Sequence, residues 1–282
     1  MVILETVFAH YTQNELDRAY DQSILVPNVA DYTYRWNEAS RQYRQSYPPV
    51  TLRYGTGDDE QIDVYPGNPG GPVHFHIHGG AWRSLSRSES GFVAKGLGSK
   101  GATVVVAGFS LVPNVTLHTL VDQVRRACLF VHSTLQGAER VFISGHSSGA
   151  HVALCLLDPD WWQSSGIGPD AIAGAVLSSG PYDLQPVRMS ARNNYLKLSE
   201  EDAERLTPVR RLGNELPPVS LFWGDGEHDE FKRQSIYLSE QLGNRATATE
   251  IAGRNHFDMY SDFGDPGSAI VRTALDQMHK QG

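Results

Sequence analysis

Gly145-His146-Ser147-Ser148-Gly149 is the stretch of this 282-residue chain most able to do chemistry. It lies between a β-branched run, residues 140–144 (RVFIS), and residues 148–157, small and apolar, which read as a helix. Glycines on both sides let a strand-to-helix turn bend sharply enough to expose a strained serine hydroxyl. The next N–H, from Ser148, is then free at a helix N-terminus and can hold developing negative charge. The pattern points to a nucleophile at Ser147; the plain alternative is a turn with a serine helix cap.

A second glycine run supports this from a distance. Ile77-His78-Gly79-Gly80-Ala81-Trp82 follows the strand-like residues 73–77 (VHFHI). Adjacent glycines after a strand expose backbone N–H groups that no side chain shields, as an oxyanion hole requires. His78 is expected to brace that loop and Trp82 to offer the cleft an aromatic wall. A rival reading uses the alternation of His74, His76 and His78, which on a strand puts all three on one face, as in a metal site. No nearby Asp or Cys completes that set, and the double glycine is then unexplained, so no metal is expected. His74 and His76 read instead as strand residues, one of them hydrogen-bonded at a sheet edge.

A serine nucleophile needs a base and an orienting acid, in the chain order serine, acid, histidine. Downstream of Ser147 stand His151, His228, His256 and His279. His151 is one turn along the elbow helix, His279 is near the chain end, and His228 sits too close to the candidate acids. His256, on an expected loop after the last strand, is the base this reasoning selects. The acid belongs a few residues after a strand end, and residues 223–230 (WGDGEHDE) follow the strand-like 219–223 (VSLFW). Glu227 and Asp229 both fit and Asp225 fits less well; the residues alone leave that choice open.

The elements that must position these groups alternate along the chain. Strands are expected at 51–54, 61–65, 73–77, 103–109, 140–144, 171–178, 219–223 and 247–251. Helices are expected at 117–135, 148–157, 231–242 and 268–280. Apolar strands alternating with helices predict an α/β fold, a mostly parallel central sheet covered by helices on both faces. Residues 1–48 are polar and tyrosine-rich, and read as two short helices around 14–20 and 31–47, divided by Pro27. They form an N-terminal helical extension expected to cap the cleft or make a homodimer contact, followed by one catalytic domain, 49–282. Lys+Arg 24 against Asp+Glu 32 gives −8, which argues against nucleic acid and a polybasic membrane anchor. No run approaches the ~18–20 apolar residues of a membrane span. The N-terminal MVILETVFAH lacks the basic start of an export signal, and Cys128 and Cys155 cannot make a disulfide framework. A cytoplasmic setting with two buried thiols is the expectation.

Together, HGGAW at 78–82, GHSSGAH at 145–151, SGPYDL at 179–184, GDGEHDEFKRQS at 224–235 and RNHF at 254–257 resemble the α/β-hydrolase fold. More narrowly they resemble its arylformamidase (kynurenine formamidase-like) group, and Ala19-Tyr20-Asp21 and Val26-Pro27 extend the likeness over nearly the whole chain. The resemblance implies a triad of Ser147, Glu227 and His256, with Asp229 the main alternative acid. It also implies oxyanion donors at Gly79, Gly80 and Ser148, and no cofactor. The implied substrate is a small aryl formamide of the N-formylkynurenine kind, its leaving group lined by Trp82, Phe257 and Tyr182, or by Tyr20. A carboxylesterase or carbamate hydrolase for small aryl esters would use the same residues. Metal-dependent hydrolysis at the three histidines, and a non-catalytic binding role, are the remaining readings. Two departures stand out: Ala81 replaces a larger aromatic, and Ser148-Gly149-Ala150 replaces the commoner Ala-Gly-Gly or Ala-Gly-Ala.

Overall fold

The computed structural model describes residues 5–213 and 215–280. The first four residues of MVILETVFAH, the stretch read above as lacking the basic start of an export signal, lie outside them. Eight strands form one sheet: β1 (Val50–Arg53), β2 (Gln61–Tyr65), β3 (Val73–Ile77), β4 (Thr103–Ala107), β5 (Val141–His146), β6 (Ile172–Ser178), β7 (Val219–Gly224) and β8 (Ala246–Ile251). Their order is β1-β2-β4-β3-β5-β6-β7-β8. Strands β4, β3, β5, β6, β7 and β8 run parallel, and β2 and β1 are added antiparallel at one side. Every residue of β3, β5, β6 and β7 is buried, whereas edge strand β8, ATATEI, is mostly exposed. Strands covered on both faces have no solvent side, which is why none of these four carries an acidic or basic side chain other than the buried histidines.

Helices close both faces. Leu117–Thr134 turns Leu120, Val124, Ala127 and Val131 into one core, and Ala269–Lys280 turns Ile270, Val271, Ala274 and Met278 into the other. Each expected strand and helix is present to within about two residues at either end. Between β6 and β7, where the pattern offered no element, lie the short helices Leu184–Met189, Asn193–Leu196 and Glu200–Arg205. Helices of 6, 4 and 6 residues carry too few turns for a periodic signal. The first and third are capped, Asp183 accepting from Gln185 N–H and Ser199 from Asp202 N–H.

The N-terminal extension folds as Gln13–Ala19 and Val29–Ser46 and packs onto the sheet's catalytic end. Trp36 Nε1–H donates to Ser261 Oγ at 2.9 Å, Tyr32 O–H to Asp258 at 3.0 Å, and Tyr20 O–H to Glu230 at 2.8 Å. Arg44 pairs with the fully buried Asp63 of β2, which also takes Arg87. Cys128 and Cys155 are buried free thiols, and burial pushes both up to about 12.

His74 and His76 depart from the expectation for them. Strand β3 is interior, between β4 and β5, so neither lies at a sheet edge. Both imidazoles share Ser144 Oγ, at 2.7 and 2.8 Å, while His78 donates to its neighbour's carbonyl, Gly79 O, at 2.9 Å and stacks on Phe109. Among the described residues no three metal-ligating side chains converge.

Burial lowers His74 to about 3 and His78 and His151 to about 4, and holds His76 and His146 well below the ordinary imidazole range. Unfolding returns all five to about 6.5. Above that pH both states leave them neutral. Below it the unfolded chain takes up protons that the native chain refuses, so stability falls as pH drops from about 6.5 toward 4. The slope reaches about 1.4 kcal/mol per histidine per pH unit. Melting temperature followed from about pH 8 to pH 4.5 should be level at first and then decline steeply; a level curve across the whole range would contradict this account.

Candidate active site

Strand β5 delivers Ser147 at φ 54°, ψ −125°, a left-handed conformation costly for a residue with a Cβ. The glycines around it are fixed by contact. A Cβ on Gly145 would meet Gly149 O at 2.3 Å, and one on Gly149 would meet Ile77 O at 2.2 Å and His78 O at 2.5 Å. The elbow helix, Ser148–Cys155, therefore lies directly against the end of β3. Ser147 N–H donates across to Ser178 O at 2.8 Å, tying the turn to β6.

The structure brings Ser147, His256 and Glu227 into one hydrogen-bonded series. His256 Nδ1–H donates to Glu227 Oε2 at 3.0 Å, which leaves Nε2 to accept from Ser147 O–H at 2.9 Å. All three side chains are buried. His256 is not on a loop as expected: it opens the helix His256–Ser261, capped by Asn255, whose side chain accepts from the N–H groups of Phe257 and Asp258. The cap fixes the backbone from which the imidazole projects. Glu227 follows β7, and its Oε1 accepts from Gly224 N–H at 2.8 Å and Ser179 O–H at 2.6 Å. Asp229 is 93% exposed at the start of helix Asp229–Leu242, and Asp225 accepts from Gly253 N–H, so neither meets His256. His151 Nε2–H donates to Leu206 O at 2.7 Å within the core, His228 is the N-terminal cap residue of Asp229–Leu242, and His279 is exposed.

Gly79 and Gly80 lie beside the elbow, and a Cβ on Gly79 would come within 3.3 Å of Ser147 Cβ. Gly80 has φ +101°, and a Cβ there would meet Ser84 O at 2.1 Å. The N–H groups of Gly79, Gly80 and Ser148 donate to no backbone carbonyl among the described residues, which leaves them for an anion. Ala81 and Trp82 continue the left-handed run at φ 54° and 61°, and Trp82 N–H donates to Ser148 Oγ at 3.1 Å. The serine side chain thus clasps the glycine loop.

Two of the expected substrate-facing aromatics do not face the cleft. Trp82 is 1% exposed and points inward, its indole N–H donating to His151 Nδ1 at 3.3 Å. Tyr182 is fully buried, its ring packed against Gly180. A left-handed backbone turns a side chain opposite to what strand-to-loop continuation suggests, which is why Trp82 goes into the core. Phe257 does line the cleft, which has a volume of about 290 Å³ and also contains Ser147 and His256. Its other walls were not evident from sequence: His146 and Tyr260, Trp36 and Gln22 from the extension, and Arg83 and Arg192. Tyr20 sits behind this wall, bonded to Glu230. A larger groove of about 590 Å³ runs between Val29–Ser46 and the 261–266 segment, but none of the three triad-forming residues lines it.

A hydroxyl, imidazole and carboxylate in this series, on this sheet, define a serine hydrolase. The profile of the alpha/beta hydrolase fold matches residues 74–256. A kynurenine formamidase from Danio rerio is 33% identical over 95% of this chain and 97% of its own length; one from Salmo salar is 33% identical over 82% of each. A candidate thioesterase from a Silicibacter species, known as a crystal structure, superposes with a TM-score of 0.83 at 27% identity, covering 93% of this chain and 99% of its own. An esterase from Pyrobaculum calidifontis superposes at 0.66 with 16% identity over 92% and 97%, which speaks for the fold alone. The chain belongs to the α/β-hydrolase family, in the group that includes these kynurenine formamidases.

Ser148→Ala removes the acceptor for Trp82 N–H and leaves that donor buried and unpaired. The variant should lose about 1–2 kcal/mol in urea unfolding and several-fold in kcat, with KM little changed. Wild-type stability and kcat together would contradict the clasp.

Proposed function

We propose that the chain hydrolyses an aryl formamide of the N-formylkynurenine kind through a formyl-enzyme on Ser147. The observation that carries this is the Ser147–His256–Glu227 series opening into an aromatic-walled cleft, in a chain one-third identical to kynurenine formamidases. His256 Nε2 takes the hydroxyl proton as Ser147 Oγ attacks the formyl carbon. The oxyanion is held by N–H groups of Gly79, Gly80 and Ser148, each donor contributing about 3–4 kcal/mol in comparable sites. His256 returns the proton to the leaving nitrogen as the C–N bond breaks, freeing the arylamine. Water, activated by the same imidazole, then releases formate. The reaction calls on no cofactor.

Several features support a leaving group that is aromatic and carries a carboxylate. Phe257, Trp36 and Tyr260 contribute aromatic lining to the cleft. Arg83, stacked on Tyr195 at 4.5 Å, and Arg192, held by Tyr20 O, put two cations at its mouth. Residues 22–36 of the extension form part of the wall, which supports its reading as a cap on a catalytic domain beginning near residue 49. No helix among the described residues is long and apolar enough to cross a membrane. We further propose a cytoplasmic setting, supported by the two buried free thiols. The second reading, an ester or thioester hydrolase, is favoured by the likeness to the Silicibacter structure and would use the same residues.

The test compares kcat/KM for N-formylkynurenine and p-nitrophenyl acetate in wild type and Ser147→Ala. Efficient deformylation, reduced at least about a thousandfold in the variant, is expected. Ester cleavage without deformylation would transfer the assignment to esters; activity surviving Ser147→Ala would overturn the serine mechanism. Arg83→Ala is expected to raise KM for N-formylkynurenine several-fold and leave that for the uncharged ester unchanged, because only the former carries a carboxylate. Equal effects on both would remove the cationic mouth from substrate recognition.

A further inference from the structure

The dipeptide Ser178-Ser179, at the end of β6, touches both ends of the reactive series without belonging to it. Ser178 O accepts the N–H of Ser147 at 2.8 Å, and Ser179 Oγ donates to Glu227 Oε1 at 2.6 Å. Ser179 N–H is anchored on Phe222 O of β7 at 2.8 Å. Like Ser147 on the neighbouring strand, Ser179 is left-handed, at φ 55° against 54°. Ser178 and Ser179 are fully buried. A non-glycine residue keeps such a backbone only where its surroundings hold it there.

The hydroxyls continue outward. Ser178 Oγ is 3.3 Å from Ser179 Oγ and 3.4 Å from His146 Nδ1, and the His146 ring lies 4.7 Å from that of His256. An ionised carboxylate only accepts, so the Ser179 proton is committed to Glu227. Ser179 Oγ must then accept from Ser178 O–H, and Ser178 Oγ from His146 Nδ1–H. Burial keeps His146 neutral, which suits a ring with a single donor to spend. Every donor in the series points toward the carboxylate, so each bond polarises the next in the same sense.

We infer that Ser179, backed by Ser178 and His146, is a positioning residue for the reaction. It fixes Glu227 so that Oε2 alone is left for His256, and it does so from the same dipeptide that fixes the backbone of Ser147. This rests on the serine-hydrolase reading proposed above. It adds that the acid is placed from β6 as well as from its own strand, β7.

Ser179→Gly is the informative variant, because glycine accepts φ 55° without strain and deletes only the hydroxyl. Turnover of p-nitrophenyl acetate should show kcat reduced about tenfold with KM within about twofold of wild type. Ser179→Ala should do the same or worse. A double-mutant cycle separates positioning from general loosening. In a Glu227→Gln background, where there is no carboxylate to orient, Ser179→Gly should cost less than about twofold more. Wild-type kcat in Ser179→Gly, or a full tenfold loss repeated in the Glu227→Gln background, would overturn the inference. Ser147→Ala in the same assay keeps the two ideas apart. If it stays active the serine mechanism falls; if it is inactive while Ser179→Gly behaves as wild type, only the positioning role falls.

Discussion

Gly149 sits so close to the end of β3 that a single added carbon would collide with Ile77 O and His78 O. Much of the site depends on that approach. It lets the helix after β5 start directly against β3, so the turn at Ser147 has no room to relax and its hydroxyl is held at the sheet's end. It also brings Ser148 within reach of Trp82 N–H, so that one turn sets the nucleophile's direction and clasps the loop of anion-binding N–H groups. The cost is a serine at φ 54°, and the rest of the sheet has to resist its relaxation.

The resistance comes from parallel neighbours buried on both faces. Strands β3, β5, β6 and β7 end at the same edge, and each delivers one part there: the glycine loop, Ser147, the Ser178-Ser179 dipeptide and Glu227. The histidine His256 comes from the turn after β8, stiffened by its Asn255 cap. Ser147 and Glu227 follow strands of one hydrogen-bonded sheet, and the Asn255 cap holds His256 between them, so distances of 2.9 and 3.0 Å need no substrate to draw the groups together. Beneath the site lie neutral imidazoles, His74 and His76 on Ser144 and His146 on Tyr260. They supply polar bonds in the core without adding charge beside Glu227 and His256.

What the sequence revealed of this follows from how local each constraint is. The elbow was legible because two glycines, a serine and the flanking strand and helix are contiguous. The buried strands were legible because β-branched runs mark themselves. Choosing Glu227 over Asp229 depends on which of two nearby carboxylates turns inward, and the β7 end decides that through Gly224 N–H and a serine 48 positions away. The directions of Trp82 and Tyr182 are not legible, because an aromatic in a loop has no periodicity to say which way it faces; three consecutive left-handed residues turn Trp82 into the core. Ser179 opens the SGPYDL motif, but nothing in the motif assigns it a role, since its importance lies in a backbone angle and a distant partner.

The site thus divides into parts of different origin. The reacting groups stand on strand ends and short capped turns, where the sheet's packing leaves little freedom. The walls that meet a leaving group come from Trp36 and Gln22 of the extension, Phe257 and Tyr260 of a six-residue helix, and two arginines on surface loops. Any side chain added at Gly149 strikes backbone at the end of β3, beside the acyl-transfer geometry. A change at Arg83, exposed and braced by a tyrosine ring, alters the charge at the mouth and leaves the sheet untouched. The same serine chemistry can therefore meet different leaving groups through changes in the cleft's walls, at the extension and the mouth, while the sheet keeps the reacting groups in place.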